Sequence, residues 1–154
     1  MSQELKVLVA DDSPDDIFLL QQAFRKAGVR SRLNQVCDGQ EVCGYLQGEG
    51  CWSDRAVYPF PDVLLLDLNM PHRNGFEVLD WIRQSAECNL LIVYVLSASA
   101  REKDIRQAHD LKANGYVIKP NQVSELVGFV QTLHQWHKFV VIPPRGCRDF
   151  VMMS

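Results

Sequence analysis

The sequence lacks the features of a membrane or secreted protein. No apolar run among its 154 residues is long enough to span a bilayer, and the start at Met1 does not resemble a signal peptide. The five cysteines include no Cys-x-x-Cys pair, which leaves out the common zinc and redox motifs. An odd number of cysteines without a secretory signal favours free thiols in a reducing compartment. We therefore expect a cytoplasmic protein that does not bind a membrane.

Strong positive charge, internal repeats and low-complexity tracts are also missing. The net charge is −3, which argues against nucleic acid as the main partner. With 47% apolar and 23% charged residues the composition is that of an ordinary globular protein. The length suits one domain with a substantial hydrophobic core.

The most informative stretch is an apolar strand that ends in an acid. Residues Val63 to Leu66 are all apolar and lie between Pro61 and Pro71. A short, continuous apolar run of this kind is typical of a strand buried on both faces, as in a parallel sheet. Asp67 follows directly, at the carboxyl end of the strand, where open α/β sheets bind ligands. A carboxylate there is costly unless a partner or an ion compensates its charge.

The rest of the chain alternates apolar runs with amphipathic segments. We predict strands at 5–10, 33–36, 63–66, 90–96 and 116–118, and helices at 14–27, 40–46, 76–82, 101–112 and 122–137. Ser13 is the expected N-cap of the first helix, with Pro14 at its first position and Gly28 at its end. Five strands alternating with five helices predict an α/β fold with a doubly wound parallel sheet and helices on both faces.

Polar residues follow four of these strands, at the edge where parallel strands end together. They are Asp11, Asp12, Asp67, Ser97 and Lys119. Taken singly, Asp11 and Asp12 suit a helix N-terminus, and Asp67 suits a turn. Ser97 alone suits a helix cap, and Lys119 a surface charge. Their joint placement at strand ends instead predicts one shared pocket.

The chemistry of that pocket follows from its residue types. Three neighbouring carboxylates stay ionised together only if a cation compensates them. Hard oxygen ligands with few other protein contacts suit Mg²⁺, which readily shares a phosphate oxygen. With a lysine and a hydroxyl beside them, these groups fit phosphoryl transfer onto a carboxylate.

The segment 47–61 is rich in glycine and proline, yet it carries Trp52, Tyr58 and Phe60. We expect a long loop whose aromatic side chains pack back on the domain. The alternative is that these aromatic residues form a contact surface for a partner.

Together these motifs resemble the receiver domains of two-component response regulators, over about residues 4–138. The matching stretches are Asp11-Asp12, Leu66 to Pro71 with Gly75-Phe76-Glu77, Ser97-Ala98 and Tyr116 to Pro120. The resemblance implies a flavodoxin-like (βα)5 fold with strand order 2-1-3-4-5. It also implies a receiver domain over 1–138, followed by a tail at 139–154 without an output domain.

The resemblance implies that Asp67 accepts a phosphoryl group from the phosphohistidine of a sensor histidine kinase, with Mg²⁺ as cofactor. Asp12 and Asp67 would ligate Mg²⁺ directly. Asp11 would do so through water, and the backbone carbonyl of Asn69 would complete the site.

The resemblance also assigns the residues around the acceptor. Ser97 would bond a phosphoryl oxygen, and Tyr116 would turn inward to follow it. Lys119 would pair with the phosphoryl group, and the bond between Lys119 and Pro120 would be cis.

A narrower resemblance concerns the 47–61 insert and the stretch from Trp136 to Pro144. Both look like those of stand-alone receivers paired with bacterial phytochrome kinases. The implied partners are a phytochrome-type kinase, a downstream protein target or phosphotransfer protein, and a second copy bound through the last helix and tail. The tail could equally be a strand that covers its own domain, and residues 145–154 match nothing that we can assign.

Other classes of function remain as alternatives. A Mg²⁺-dependent phosphohydrolase with an aspartyl-phosphate intermediate needs a second acid two residues after the nucleophile, where Asn69 stands. A flavodoxin-like nucleotide-binding protein needs a glycine-rich loop after the first strand, where Asp11 and Asp12 stand. A non-phosphorylated pseudo-receiver would keep the fold as a binding platform. We expect a phosphorylated signalling protein that acts by protein contact and is not a turnover enzyme.

Overall fold

A five-stranded parallel sheet organises residues 4–141, the part of the chain that the computed structural model describes. The strands are β1 (Leu5–Ala10), β2 (Ser31–Val36), β3 (Val63–Leu66), β4 (Ile92–Ser97) and β5 (Gly115–Ile118). The helices are α1 (Pro14–Ala27), α2 (Gly39–Gln47), α3 (Gly75–Gln84), α4 (Glu102–Asp110) and α5 (Val123–His137). The strand order is β2-β1-β3-β4-β5 and every pair is parallel, which confirms the predicted fold class and order.

The central strand β3 separates two hydrophobic cores. Leu64 and Leu66 point to one face and pack with the apolar side chains of α2 and α3. Val63 and Leu65 point to the other face and pack with α1 and α5. All four side chains are buried, as the unbroken apolar run predicted. This packing fixes the position of the strand whose end carries Asp67.

Local sequence signals set the bounds of α1. The hydroxyl of Ser13 accepts a hydrogen bond from the backbone N–H of Asp16 at 3.3 Å, and Pro14 is the first helical residue. The helix ends at Gly28, whose φ of 67° lies in the left-handed region that glycine tolerates. Both predicted ends are confirmed, so the start of α1 is fixed beside the end of β1.

The segment between α2 and β3 packs on the domain. It contains a short 3₁₀ helix at Gly50–Trp52. Its partly buried aromatic side chains, which contact the core on the α2 and α3 face, are Trp52, Tyr58 and Phe60. The hydroxyl of Tyr45 in α2 donates to the carbonyl of Pro59 at 2.9 Å, and Arg55 donates to the carbonyl of Tyr45 at 2.8 Å. The expectation of packing is confirmed.

Of the predicted tail at 139–154, residues 142–154 lie outside the described part of the chain. The alternatives of a covering strand and a dimer contact therefore stay predictions. No disulfide joins the four cysteines within residues 4–141. In the same range no helix is both long enough and apolar enough to cross a membrane.

Gly75 begins α3 directly behind the end of β3. Its backbone N–H donates to the carbonyl of Leu68 at 2.9 Å. A Cβ atom at this position would lie 2.5 Å from the backbone oxygen of Asp67 and 2.7 Å from the Cα of Leu68. Because these are backbone atoms, they cannot move aside as a side chain would. Glycine is therefore required here for space.

We expect Gly75→Ala to lower the free energy of unfolding by about 1–3 kcal/mol, because the added methyl group overlaps the backbone that carries Asp67. Urea denaturation would measure the change. Gly128→Ala in α5 is the matched control, since a Cβ there meets no atom within 4 Å. That variant should gain up to about 1 kcal/mol from higher helix propensity. Equal stability of Gly75→Ala and wild type would contradict the close contact.

His137 ends α5 with a ring nitrogen that is buried without a partner. Its Nε2 atom has no hydrogen bond within the described residues. The ring meets Tyr94 of β4 edge-on, with centroids 6.3 Å apart. Burial lowers the pKa of His137 from 6.5, and the negative charge of Asp62 opposes that shift only in part. The folded protein therefore favours the neutral imidazole.

The unfolded chain binds a proton at His137 more tightly than the folded chain does. Stability contributed by the neutral ring is therefore lost as the pH falls below 6.5. We expect His137→Phe, which keeps an aromatic ring but removes the proton site, to lessen this acid sensitivity in unfolding curves recorded between pH 7 and pH 5. His134→Phe in the same helix is the control and should leave it in place. An unchanged pH dependence in His137→Phe would refute the assignment.

Candidate functional site

Acidic side chains from two neighbouring strands meet at the carboxyl edge of the sheet. Asp11 and Asp12 follow β1, and Asp67 follows β3, which pairs with β1. Each offers a carboxylate oxygen, and these oxygens lie within 4.8 Å of one another. The structure thus brings together the three acids that the sequence placed at strand ends.

Burial sets the electrostatics of the acceptor candidate. Asp67 is only 6% exposed, and its pKa is raised from 3.8 to about 6. The largest cause is loss of hydration, to which the charges of Asp11 and Asp12 add. Lys119 and the backbone N–H of Asn69 act in the opposite direction but do not cancel the rise. The ionised carboxylate is therefore under-compensated by the protein alone.

The donor set suits a divalent metal ion. Three carboxylates supply hard oxygen ligands, and one of them, from Asp12, is exposed and leaves room for coordinated water. Asn69 contacts this cluster through its N–H, which donates to Asp67. That the Asn69 carbonyl ligates the ion stays a prediction.

Lys119 lies among the acids as predicted. Its ammonium Nζ donates to Asp11 Oδ2 at 2.8 Å and to Asp16 Oδ2 at 2.7 Å, and it lies 3.8 Å from Asp67 Oδ1. Its backbone N–H donates to the carbonyl of Ser97 at 2.7 Å, which ties the end of β5 to the end of β4. Asp16 was missed as a member of this site, because the sequence presented it only as an acid in the first turn of a helix.

The expected cis bond between Lys119 and Pro120 is wrong, because no peptide bond within residues 4–141 is cis. The trans form is intrinsically preferred before proline by about 0.5–1 kcal/mol. Lys119 reaches its carboxylate partners from this trans arrangement, so its contacts do not require the cis form.

Ser97 and Tyr116 are joined through the loop between β4 and α4. The Ser97 side chain is fully buried, and its hydroxyl accepts a hydrogen bond from the N–H of Ser99 at 3.1 Å. Tyr116 donates from its hydroxyl to the carbonyl of Ser99 at 2.8 Å. Tyr116 therefore faces the loop that carries Ser97. The inward turn that the resemblance implies after phosphorylation stays a prediction.

The same loop has an anchor that the sequence did not reveal. The hydroxyl of Ser99 donates to Asp104 Oδ2 at 2.6 Å, and the guanidinium of Arg101 contacts the same oxygen at 3.2 Å. The bond from Ser99 lowers the pKa of Asp104, which is a buried acid in the first turn of α4. This contact fixes the loop to the helix.

Comparison with known protein families shows which family the sequence matches. The sequence model described as "Response regulator receiver domain" matches residues 7–131. The chain is 30% identical over 138 residues to the response regulator Rcp1 of Synechocystis sp., covering 89% of this chain and 92% of that protein.

Solved structures of response regulators are also similar to this chain. The phosphorylated cyanobacterial phytochrome response regulator RcpA superimposes with a TM-score of 0.81 at 33% identity, over 92% of this chain and 99% of that one. The response regulator RPA3017 from red light signalling of R. palustris gives 0.84 at 34% identity, over 90% and 98%. The Mn²⁺-bound form of Rcp1 gives 0.77 at 30% identity, over 90% and 99%. The chain therefore belongs to the response regulator receiver domain family.

Proposed function

We propose that this chain accepts a phosphoryl group on Asp67 from the phosphohistidine of a sensor histidine kinase. The observation that carries the proposal is the cluster of Asp11, Asp12 and Asp67 beside the ammonium of Lys119. A buried carboxylate beside two further acids and a cation is suited to phosphoryl transfer once a divalent ion is bound.

In the proposed reaction an oxygen of the Asp67 carboxylate attacks phosphorus. An O–P bond forms, the N–P bond of the phosphohistidine breaks, and the departing imidazole takes a proton from solvent. Lys119 and Ser97 bond the oxygens of the incoming group. Mg²⁺ would be held by Asp12 and Asp67 directly and by Asp11 through water, with the Asn69 carbonyl as a further ligand.

When bound, Mg²⁺ neutralises the charge that accumulates on the transferred oxygens. A bound cation would also lower the raised pKa of Asp67, so that the nucleophile would stay ionised below neutral pH as well. The Mn²⁺-bound form of the relative Rcp1 supports a divalent ion in this family, and the choice of Mg²⁺ is part of our proposal.

The output would pass through protein contact. A phosphoryl group adds close to two negative charges at Asp67, which biases the loop held by Ser99 and the side chain of Tyr116. The surface formed by α4, β5 and α5 is the one that we expect to change. Residues 1–138 would act as the receiver, and residues 139–154 would form the tail that follows it.

Similarity to the phytochrome response regulator RcpA supports a phytochrome-type sensor kinase as the partner, and similarity to RPA3017 from red light signalling is consistent with it. A downstream protein target or a phosphotransfer protein would receive the signal in the cytoplasm, without nucleic acid or membrane binding. A homodimer through α5 and the tail is part of the same proposal. A turnover phosphohydrolase is disfavoured because Asn69 stands where that chemistry needs an acid.

Incubation with acetyl phosphate and Mg²⁺ should add one phosphoryl group to the wild-type protein, and Asp67→Asn should add none, because its amide is not a nucleophile. Intact-mass spectrometry measures both, and omission of Mg²⁺ should suppress the adduct. Asp80→Asn is the control: it removes an acid of α3 that does not belong to the cluster at the carboxyl edge of the sheet, and it should react like wild type. A full adduct in Asp67→Asn would refute the acceptor, and a folded wild type that never reacts would indicate a pseudo-receiver.

The raised pKa of Asp67 predicts a pH-dependent stability of the metal-free protein. The folded chain holds the proton of Asp67 up to about pH 6, whereas the unfolded chain releases it near 3.8. Stability should therefore fall as the pH rises through this interval. In EDTA at pH 7, Asp67→Asn should exceed wild type by about 1–3 kcal/mol in free energy of unfolding.

Added Mg²⁺ should raise the melting temperature of wild type more than that of Asp67→Asn, since the ion compensates the charge that the variant lacks. Urea unfolding with EDTA and thermal unfolding with Mg²⁺ measure the two effects. A wild type as stable as Asp67→Asn in EDTA, together with equal Mg²⁺ effects, would disprove the charge imbalance.

A further inference from the structure

Lys119 is bound by a carboxylate that does not belong to the metal-binding cluster. Asp16 lies in the first turn of α1, and its Oδ2 accepts a hydrogen bond from Lys119 Nζ at 2.7 Å. The cluster consists of Asp11, Asp12 and Asp67. Asp16 therefore differs from the three acids of the cluster: its carboxylate contacts Lys119 and does not belong to the group that could hold a metal ion.

The geometry of the ammonium gives this contact a consequence. A lysine ammonium has three N–H donors. One donates to Asp11 at 2.8 Å and another to Asp16 at 2.7 Å, while Asp67 Oδ1 lies 3.8 Å away, beyond hydrogen-bond distance. Two donors are thus occupied, and the third remains for an acceptor on the Asp67 side.

Metal binding would affect the two partners of Lys119 differently. Asp11 supplies an oxygen to the cluster, so a divalent ion would draw on its charge. Asp16 is outside the cluster and keeps its full charge for the ammonium. Asp16 is consequently the partner that holds Lys119 when the ion is present.

Asp16 stands on a rigid support. Its backbone N–H is bonded to the cap hydroxyl of Ser13, and the preceding Pro14 fixes the start of the helix. The cleft beside Asp16 and Lys119 is lined on its apolar side by Leu20, Leu96 and Leu126. With 39% of its side chain exposed, Asp16 is held in place but still partly hydrated.

We propose that Asp16 is a positioning residue for phosphoryl transfer, which holds the Lys119 ammonium so that one N–H stays directed to the Asp67 side. The inference rests on the proposed function. Holding the donor before the reaction saves the cost of orienting it during the reaction.

The kinetic test compares Asp16→Asn with Asp15→Asn. Both remove one negative charge from the first turn of α1, but Asp15 is not among the hydrogen-bond partners of Lys119. With acetyl phosphate and Mg²⁺, the rate constant for adduct formation should fall about three- to tenfold in Asp16→Asn. Asp15→Asn should stay near wild type, and Asp16→Glu should recover part of the loss because it restores a carboxylate.

A double-mutant cycle with Lys119→Met separates positioning from general effects of charge. If Asp16 acts through Lys119, then Asp16→Asn causes no further loss of rate in the Lys119→Met background. An equal fold-loss in both backgrounds would overturn the inference.

A second readout needs neither metal nor reaction. In ¹H–¹⁵N spectra of lysine ammonium groups, a buried and hydrogen-bonded Lys119 should give a slowly exchanging signal that Lys119→Met removes. Asp16→Asn should weaken or abolish this signal, and Asp15→Asn should retain it.

The outcomes distinguish the two proposals. If wild type is phosphorylated but Asp16→Asn matches or exceeds Asp15→Asn in rate, the positioning inference is wrong and the proposed function stands. If folded wild type takes no phosphoryl group, the proposed function fails, and with it the positioning role. An unchanged ammonium signal in Asp16→Asn would overturn the inference in either case.

Discussion

Repulsion among three carboxylates at one sheet edge is the constraint on which the rest of the structure depends. Backbone hydrogen bonds hold the acids in place: the N–H of Asp67 donates to Ala10 at 2.9 Å, and the N–H of Asp11 donates to Val36 at 3.1 Å. Because these bonds continue the sheet, the acids cannot separate without breaking it. Lys119 is the cation that the described residues place among them, and one positive charge does not balance three negative ones. A divalent ion removes most of the difference.

The two hydrophobic cores supply the stabilising free energy that offsets the cost of burying the Asp67 carboxylate. A raise of about two pKa units at Asp67 corresponds to roughly 3 kcal/mol at most. Burial of one leucine side chain contributes about 1.5–3 kcal/mol. Leu64 and Leu66 on one face and Leu65 on the other are each essentially inaccessible to solvent. The free-energy cost of the raised Asp67 pKa therefore matches the stabilisation gained by burying about one or two leucine side chains of β3. A domain of this size can absorb that cost.

The sequence was sufficient for features that depend on local chemistry. The run Val63–Leu66 identified the buried central strand, and the cap at Ser13 with Gly28 bounded α1. It was less informative for β2, which starts at residue 31 and not at 33, because an edge strand with half-exposed polar side chains lacks an apolar pattern. It missed Asp16 as a partner of Lys119, since 103 residues separate the two and only the fold brings them together. The wrong cis prediction came from family resemblance and had no support in local sequence chemistry.

The hydrogen bonds around Ser97 explain how a change at Asp67 could reach the surface of α4. Ser97 accepts from the N–H of Ser99, so its own hydroxyl hydrogen remains available for a phosphoryl oxygen. Ser99 in turn accepts from Tyr116 and donates to Asp104. On the proposed mechanism, movement of Ser97 towards a phosphoryl group would pull on the N–H of Ser99 and disturb both contacts at once. Because each is a single short hydrogen bond, a small displacement suffices to exchange one arrangement of the loop for another.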